Sequence, residues 1–315
     1  MWKPTRAPGP SAPQVDLTTR VGSLTLPNPM MCAAGTAGHG AELGAFVDLG
    51  ALGAVVVKSL SVDPWPGNPA PRVHPLPSGM INSVGLQGPG LAAWQAEELP
   101  QLVDSGARVV VSIWGRSVGD FASAAQAVGA MGPEVVAVEV NLSCPNLAGK
   151  SMFAHDAAAA AEVMAATAAA GRPRWAKLSP NTDRLVAVAE ACAGAGADAL
   201  TLTNTLLGLV IDPEARRPVL GAGGGGVSGA GLAPIAVRAV WDVAAAVELP
   251  IIGAGGVSDA NGALQLLMAG ASAVQVGTAT FADPRAPQRI LEELTQWCAA
   301  HGVGSISELV GAAQP

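Results

Sequence analysis

Short apolar, β-branched runs recur along the chain, each followed by Gly, Asn, Ser or Thr and then by an alanine-rich stretch of helical character. Eight such units can be marked, with strands predicted over 30–34, 54–58, 108–113, 135–140, 174–178, 199–203, 250–253 and 273–276. Helical segments fall between them, among them 183–193, 233–247 and 259–269, the last opened by Ser258 or Asp259 as its cap. Strands that are apolar throughout are buried on both faces. Eight of them in parallel favour a closed (β/α)8 barrel, with a doubly wound open sheet as the alternative. Segment 59–108 is too long for one helix, and Pro64, Pro66, Pro69, Pro71, Pro75 and Pro77 forbid regular helix there, so an excursion over the barrel mouth is expected.

The polar residues gather where strands end. Gly35 follows the first strand, Lys58 closes the second, Asn141 and Cys144 follow the fourth, and Lys177 lies at the fifth. Asn204 and Thr205 follow the sixth, Gly255 and Gly256 the seventh, and Gly277 and Thr278 the eighth. In a barrel all these exits open on one face, so residues distant in sequence converge on one pocket.

Composition narrows what that pocket takes. The 315 residues suit one large α/β domain or two ordinary ones, and a hydrophobic content of 50% is ample for a core. With only 13% charged residues and a net charge of −7, nothing attracts nucleic acid or an anionic membrane surface, which leaves a small, solvent-shielded substrate. Cys32, Cys144, Cys192 and Cys298 lie far apart without Cys-x-x-Cys spacing, which argues against a zinc site, an iron–sulfur cluster or a disulfide framework and places the chain in the cytoplasm. The histidines form no metal-ligand spacing, and no apolar run would span a bilayer. Residues 1–14 read as a disordered, proline-rich tail ahead of a catalytic domain over 15–315.

Gly255-Gly256 and Gly277-Thr278 would let backbone N–H groups approach a phosphate, with the following helix starts adding their positive ends. Glycine also makes plain tight turns, but the position of these pairs at strand exits favours phosphate. The run 221–226 reads as a mobile loop, and only Gly229, downstream of it, is assigned to ligand contact. Lys58 and Lys177 each end an apolar strand, so each needs an anionic partner or a lowered pKa. A flavin ring that becomes negative near N1 on reduction would serve as that partner; a Schiff-base lysine is the competing reading, and Cys144 speaks against it. Cys32, Cys192 and Cys298 read as inert small hydrophobes. Cys144 stands in a loop between Asn141 and Asn146, where spacing alone leaves nucleophile and base equally open.

The sequence resembles the class 1 dihydroorotate dehydrogenases, FMN enzymes of pyrimidine biosynthesis. The likeness runs from about Val21 to Pro287 through Gly67-Asn-Pro-Ala-Pro-Arg72, Ser78-Gly-Met-Ile-Asn-Ser-Val-Gly-Leu-Gln87, Asn141-Leu-Ser-Cys-Pro-Asn146, Lys177-Leu-Ser-Pro-Asn181, Leu202-Thr-Asn-Thr205, Val227-Ser-Gly229, Pro250-Ile-Ile-Gly-Ala-Gly-Gly256 and Val276-Gly-Thr278. The resemblance implies oxidation of (S)-dihydroorotate to orotate, with Cys144 taking the C5 proton while hydride leaves C6 for N5 of FMN. It places the flavin on Ala34, Gly35, Lys58, Ser59, Ser112, Asn141, Lys177, Thr203, Gly229, Gly255, Gly256, Gly277 and Thr278. The pyrimidine falls to Lys58, Asn82, Ser83, Val84, Gly85, Leu86, Asn141, Asn146, Asn204 and Thr205. A cysteine in the base position points to class 1, since the similar class 2 enzymes use serine there. The segments 146–155 and 84–89 resemble the NAD-linked 1B catalytic subunit more than the fumarate-using 1A enzyme. That implies a separate subunit carrying FAD and a [2Fe–2S] cluster, and a homodimer core. This chain departs from the family at Ala34, where Ser is common, at Ser112, where many 1B members have Asn, and at Ala230-Gly231, which replaces a Pro-Ala pair. A flavin enzyme for another dihydropyrimidine, or a flavin-binding subunit without turnover of its own, are the alternatives.

Overall fold

The structure, a computed structural model, describes residues 15–143 and 152–315. The predicted tail over 1–14, and the site candidates Cys144 and Asn146, lie outside the described residues. The eight predicted strands are present as β1 Met30–Cys32, β2 Ala54–Val56, β3 Val109–Ile113, β4 Val135–Asn141, β5 Arg174–Lys177, β6 Ala199–Leu202, β7 Ile251–Ala254 and β8 Ala271–Val276. They pair in parallel in chain order, and β8 returns to β1 through Val274 opposite Met30, so the sheet closes and the open-sheet alternative falls. Helices Val118–Gly129, Ala157–Ala166, Leu185–Gly194, Ala233–Ala244, Ala260–Ala269 and Ala286–Ala300 belong to the outer layer, where they bury their apolar faces against the outward side chains of the strands. Asp259, of the two candidate caps, starts its helix: its Oδ1 accepts from the Gly262 N–H at 2.9 Å. Among the described residues no helix is long and apolar enough to cross a membrane.

Side chains alternate across each strand, so every second residue points to the barrel axis. Met31, Val56, Val110, Ala137, Trp175, Ala199, Ile252 and Ala273 form one inner apolar cluster, closed from below by Val21 and Leu26 of the hairpin Thr19–Val21 and Leu24–Leu26. Two residues further along the same strands the inward positions turn polar: Lys58, Ser112, Glu139, Lys177, Thr201 and Gln275. The barrel interior is therefore dry at its base and hydrogen-bonding above.

The excursion over the mouth is a β-hairpin, Val73–Leu76 with Gly79–Asn82, followed by helices Leu91–Glu97 and Leu99–Asp104. The hairpin joins strands Gly225–Ser228 and Leu206–Gly208, from the connection after β6, in a four-stranded antiparallel sheet. This corrects the reading of 221–226 as a mobile loop. Gly225 and Gly226 are ladder residues, and a Cβ on either would run into the Asn82 carbonyl or the Thr205 side chain, so glycine is what lets two excursions zip together.

Candidate active site

Barrel mouth and four-stranded roof enclose a cavity of about 1540 Å³. Usual small-molecule pockets hold roughly 300–1,000 Å³, so there is room here for a cofactor and a substrate together. Of the predicted site residues, Ala34, Gly35, Lys58, Ser59, Asn141, Lys177, Thr203, Gly229, Gly255, Gly256, Gly277 and Thr278 line it. So do Asn82, Ser83, Val84, Gly85, Leu86, Asn204 and Thr205. Ser112 does not. It is fully buried behind Ser59, whose Oγ it meets at 2.9 Å, and it reaches the cavity wall only through that hydroxyl.

Lys177 forms the floor. Its Nζ donates to Glu139 Oε1 at 3.1 Å and to Gln275 Oε1 at 3.2 Å, with the lysine 6% exposed and Glu139 not at all. Glu139 Oε2 accepts from Thr201 Oγ1 at 3.1 Å and from Gln275 Nε2 at 2.7 Å. The anionic partner that Lys177 needs is thus internal, where the sequence had suggested a ligand. An ammonium has three donors; two are used, and among the described residues the third has no acceptor, so it is available to a ligand in the cavity.

Asn141, at the end of β4, is held by three elements. Its Nδ2 donates to Ser59 Oγ at 3.3 Å, and its Oδ1 accepts from the Ser143 N–H and from Asn204 Nδ2, both at 3.2 Å. Asn204 Oδ1 accepts from the Thr205 N–H at 2.8 Å. These bonds fix which way each amide points. Next to Ser59, Lys58 is half-buried and lies across Gly35, where a Cβ would stand 2.9 Å from Lys58 Cδ; Gly35, at φ +80°, is glycine for conformation and for space. His39 behind it has its pKa held below the ordinary histidine value, first by burial and then by the Lys58 charge.

At the exits of β7 and β8 the backbone lies open. The N–H groups of Gly256, Gly277 and Thr278 donate no backbone hydrogen bond among the described residues. Gly256, at φ +78°, could carry no Cβ without striking the Ala233 backbone, whereas a Cβ on Gly277 would make only ordinary van der Waals contacts, with Ala33 Cβ at 3.5 Å and Thr36 Cγ2 at 3.8 Å. Glycine at 277 is therefore not demanded by the protein's own packing; the space over it belongs to the cavity. Half-exposed, unused N–H groups beside a helix start are suited to a phosphate.

The segment 82–86 forms part of the roof. Asn82 Nδ2 donates to the Gly226 carbonyl at 3.3 Å, Asn68 Nδ2 to Ser83 Oγ at 2.7 Å, and Trp65 Nε1 to the Gly85 carbonyl at 3.0 Å. Arg72 braces the turn through the carbonyls of Asn68 and Pro66. These contacts hold Leu86 at φ 63°, a left-handed conformation that costs a branched residue of order 1–3 kcal/mol. Trp65 also meets Trp114 edge-on at 5.8 Å and carries Arg116 over its face at 4.6 Å, giving the cavity an aromatic, cationic rim.

Sequence reasoning missed Glu139, Gln275, Thr201 and this rim. A signal for the first three exists, since each lies two residues from an inward apolar position on its strand.

The model of the family described as dihydroorotate dehydrogenase matches residues 16–297. The chain belongs to the dihydroorotate dehydrogenase family. It is 46% identical over 299 residues to the protein of Pelobacter propionicus named dihydroorotate dehydrogenase B (NAD(+)), catalytic subunit, with 94% of this chain and 98% of that one covered. The proteins of the same name from Desulforudis audaxviator and Geobacter sulfurreducens are 46% and 44% identical, over 95% and 94% of this chain and 98% of each relative. These relatives bear the B-type name that the segments 146–155 and 84–89 suggested. The buried Glu139–Lys177 pair and the Asn141–Asn204 amides are held by hydrogen bonds within the protein itself.

Proposed function

We propose that this chain oxidises (S)-dihydroorotate to orotate on bound FMN, as the catalytic subunit of a B-type assembly. The observation that carries the reading is the meeting, in one cavity, of two lysines, the oriented Asn141–Asn204 pair and the unused N–H groups of Gly256, Gly277 and Thr278. Those N–H groups would hold the FMN phosphate, and the third Lys177 donor the pyrimidine side of its ring. FMN, when bound, supplies the two-electron acceptor for the hydride lost from C6. Cys144 takes the C5 proton, so that a C5–C6 double bond forms as both bonds to hydrogen break. Lys58 faces the substrate carboxylate, while the amides of Asn141 and Asn204, with Thr205 and the 82–86 turn, match the donors and acceptors of the pyrimidine ring.

Electrons then pass to NAD+ through a second subunit bearing FAD and a [2Fe–2S] cluster, a reading supported by the relatives' name as the catalytic subunit of an NAD(+) enzyme. A homodimer forms the core of the assembly, in the cytoplasm. The test is anaerobic mixing of the purified chain with dihydroorotate. Bleaching of the flavin absorbance within a single turnover is expected. Absence of flavin, or bleaching by dihydrouracil and not by dihydroorotate, would overturn the reading.

A further inference from the structure

Glu139 lies in the middle of β4 with its side chain wholly buried, and every hydrogen bond of its carboxylate is internal: Lys177 Nζ, Thr201 Oγ1 and Gln275 Nε2. A buried ion pair of this kind gives a fold little, since apolar replacements are often as stable or more so. Ala137 and Trp175, one step below on the same strands, already continue the dry interior. The pair therefore calls for an explanation in the cavity above it, which Lys177 and Gln275 both line.

We infer that Glu139 is a positioning residue that sets the charge felt by the flavin. The inference rests on the FMN reading of this cavity. It acts in two ways. By engaging Lys177 together with Gln275, it orients the ammonium and leaves one donor for the ring. By lying 3.1 Å from Nζ, it offsets the ammonium's charge. When a hydride passes to the ring, two electrons and one proton arrive together, and the ring gains one negative charge. A lone ammonium at the floor would stabilise that charge strongly and make the reduced state a sink. With Glu139 beneath it the floor is close to neutral, the two-electron potential is lower, and electrons leave more readily for the next carrier.

The test uses the full-length, FMN-loaded protein and reads the two-electron midpoint by titration against reference dyes, independently of turnover. Glu139→Gln, which removes the charge and keeps the shape, should shift the reduction equilibrium at least tenfold toward reduced flavin, about 30 mV. Gln275→Glu, which adds a second carboxylate 3.2 Å from the same Nζ, should shift it in the opposite direction. Opposite signs are what a charge-setting role produces and a merely structural one does not. Shifts of the same sign, shifts below twofold in both, or failure of both variants to fold or retain flavin would overturn the inference. If only one variant folds, its sign decides. A wild-type protein that binds no FMN, by contrast, sinks the flavin reading itself and not the role of Glu139 alone.

Discussion

Asn204 donates from Nδ2 to Oδ1 of Asn141 across 3.2 Å, and this bond ties the exit of β6 to the exit of β4. With Ser143 on the same oxygen and Thr205 on the far side of Asn204, both amides have one orientation only. Asn204→Ala should lower kcat/KM for dihydroorotate about tenfold, near 1.4 kcal/mol, the loss of one well-placed hydrogen bond. Asn204→Asp should cost more, about a hundredfold, because it sets a carboxylate against the Asn141 oxygen and near an anionic substrate. Steady-state kinetics decide it; an Asn204→Ala enzyme within twofold of wild type would mean that the pair does not hold the pyrimidine.

Gly256 and Gly277 separate packing from ligand contact. Gly256→Ala meets the Ala233 backbone and a φ of +78°, so it should lose about 2 kcal/mol or more in urea unfolding even without cofactor. Gly277→Ala has 3.5 Å to its nearest neighbour, Ala33 Cβ, and should unfold within about 0.5 kcal/mol of wild type. Its FMN affinity should nevertheless fall at least tenfold, as read from flavin released on dilution. Full flavin retention in Gly277→Ala would place the phosphate elsewhere.

The barrel was legible because its strands are apolar on both faces, which only a sheet covered on both sides requires, and the mouth residues because strand exits must share one face. The four-stranded roof was not. Its strands draw on segments more than a hundred residues apart, and Gly225 and Gly226 carry no side-chain pattern to announce a strand. Glu139 was hidden in the run 135–140, where one charge among five apolar residues was absorbed into a strand whose alternate side faces the axis. Reading that strand with a period of two, Ala137, Glu139, Asn141, would have brought the carboxylate to the barrel interior, one inward position below the amide that pairs with Lys177.

His39 should make stability fall on the acid side. Burial, and then the Lys58 charge, hold its folded-state pKa below the ordinary value of 6.5. The unfolded chain therefore takes up the proton more readily, so the contribution is complete above about pH 6.5 and is lost as pH drops through the lower, folded-state value. Urea midpoints of wild type should decline below about pH 6.5, and His39→Gln should flatten that decline. Lys58→Met should flatten it in part, having removed only the second cause. An unchanged acid limb in His39→Gln would show that other groups produce it.

Thiol chemistry should single out Cys144. Burial pushes the thiols of Cys32 and Cys192 up to about 12, and burial also raises that of Cys298, so all three are kept protonated at pH 8 and shielded from reagent. Iodoacetamide should modify the native protein at Cys144 alone, and orotate should slow that reaction if the thiol faces the substrate. All four cysteines should react in urea. Cys144→Ala should retain FMN and lose flavin reduction by dihydroorotate about a hundredfold or more, the usual contribution of a general base. Cys144→Ser should keep part of the rate, with its rising limb moved to higher pH because a hydroxyl yields its proton less easily than a thiol. Reduction by Cys144→Ala at the wild-type rate would remove the base from this residue, and native labelling at Cys32 or Cys192 would contradict the packing that keeps them inert.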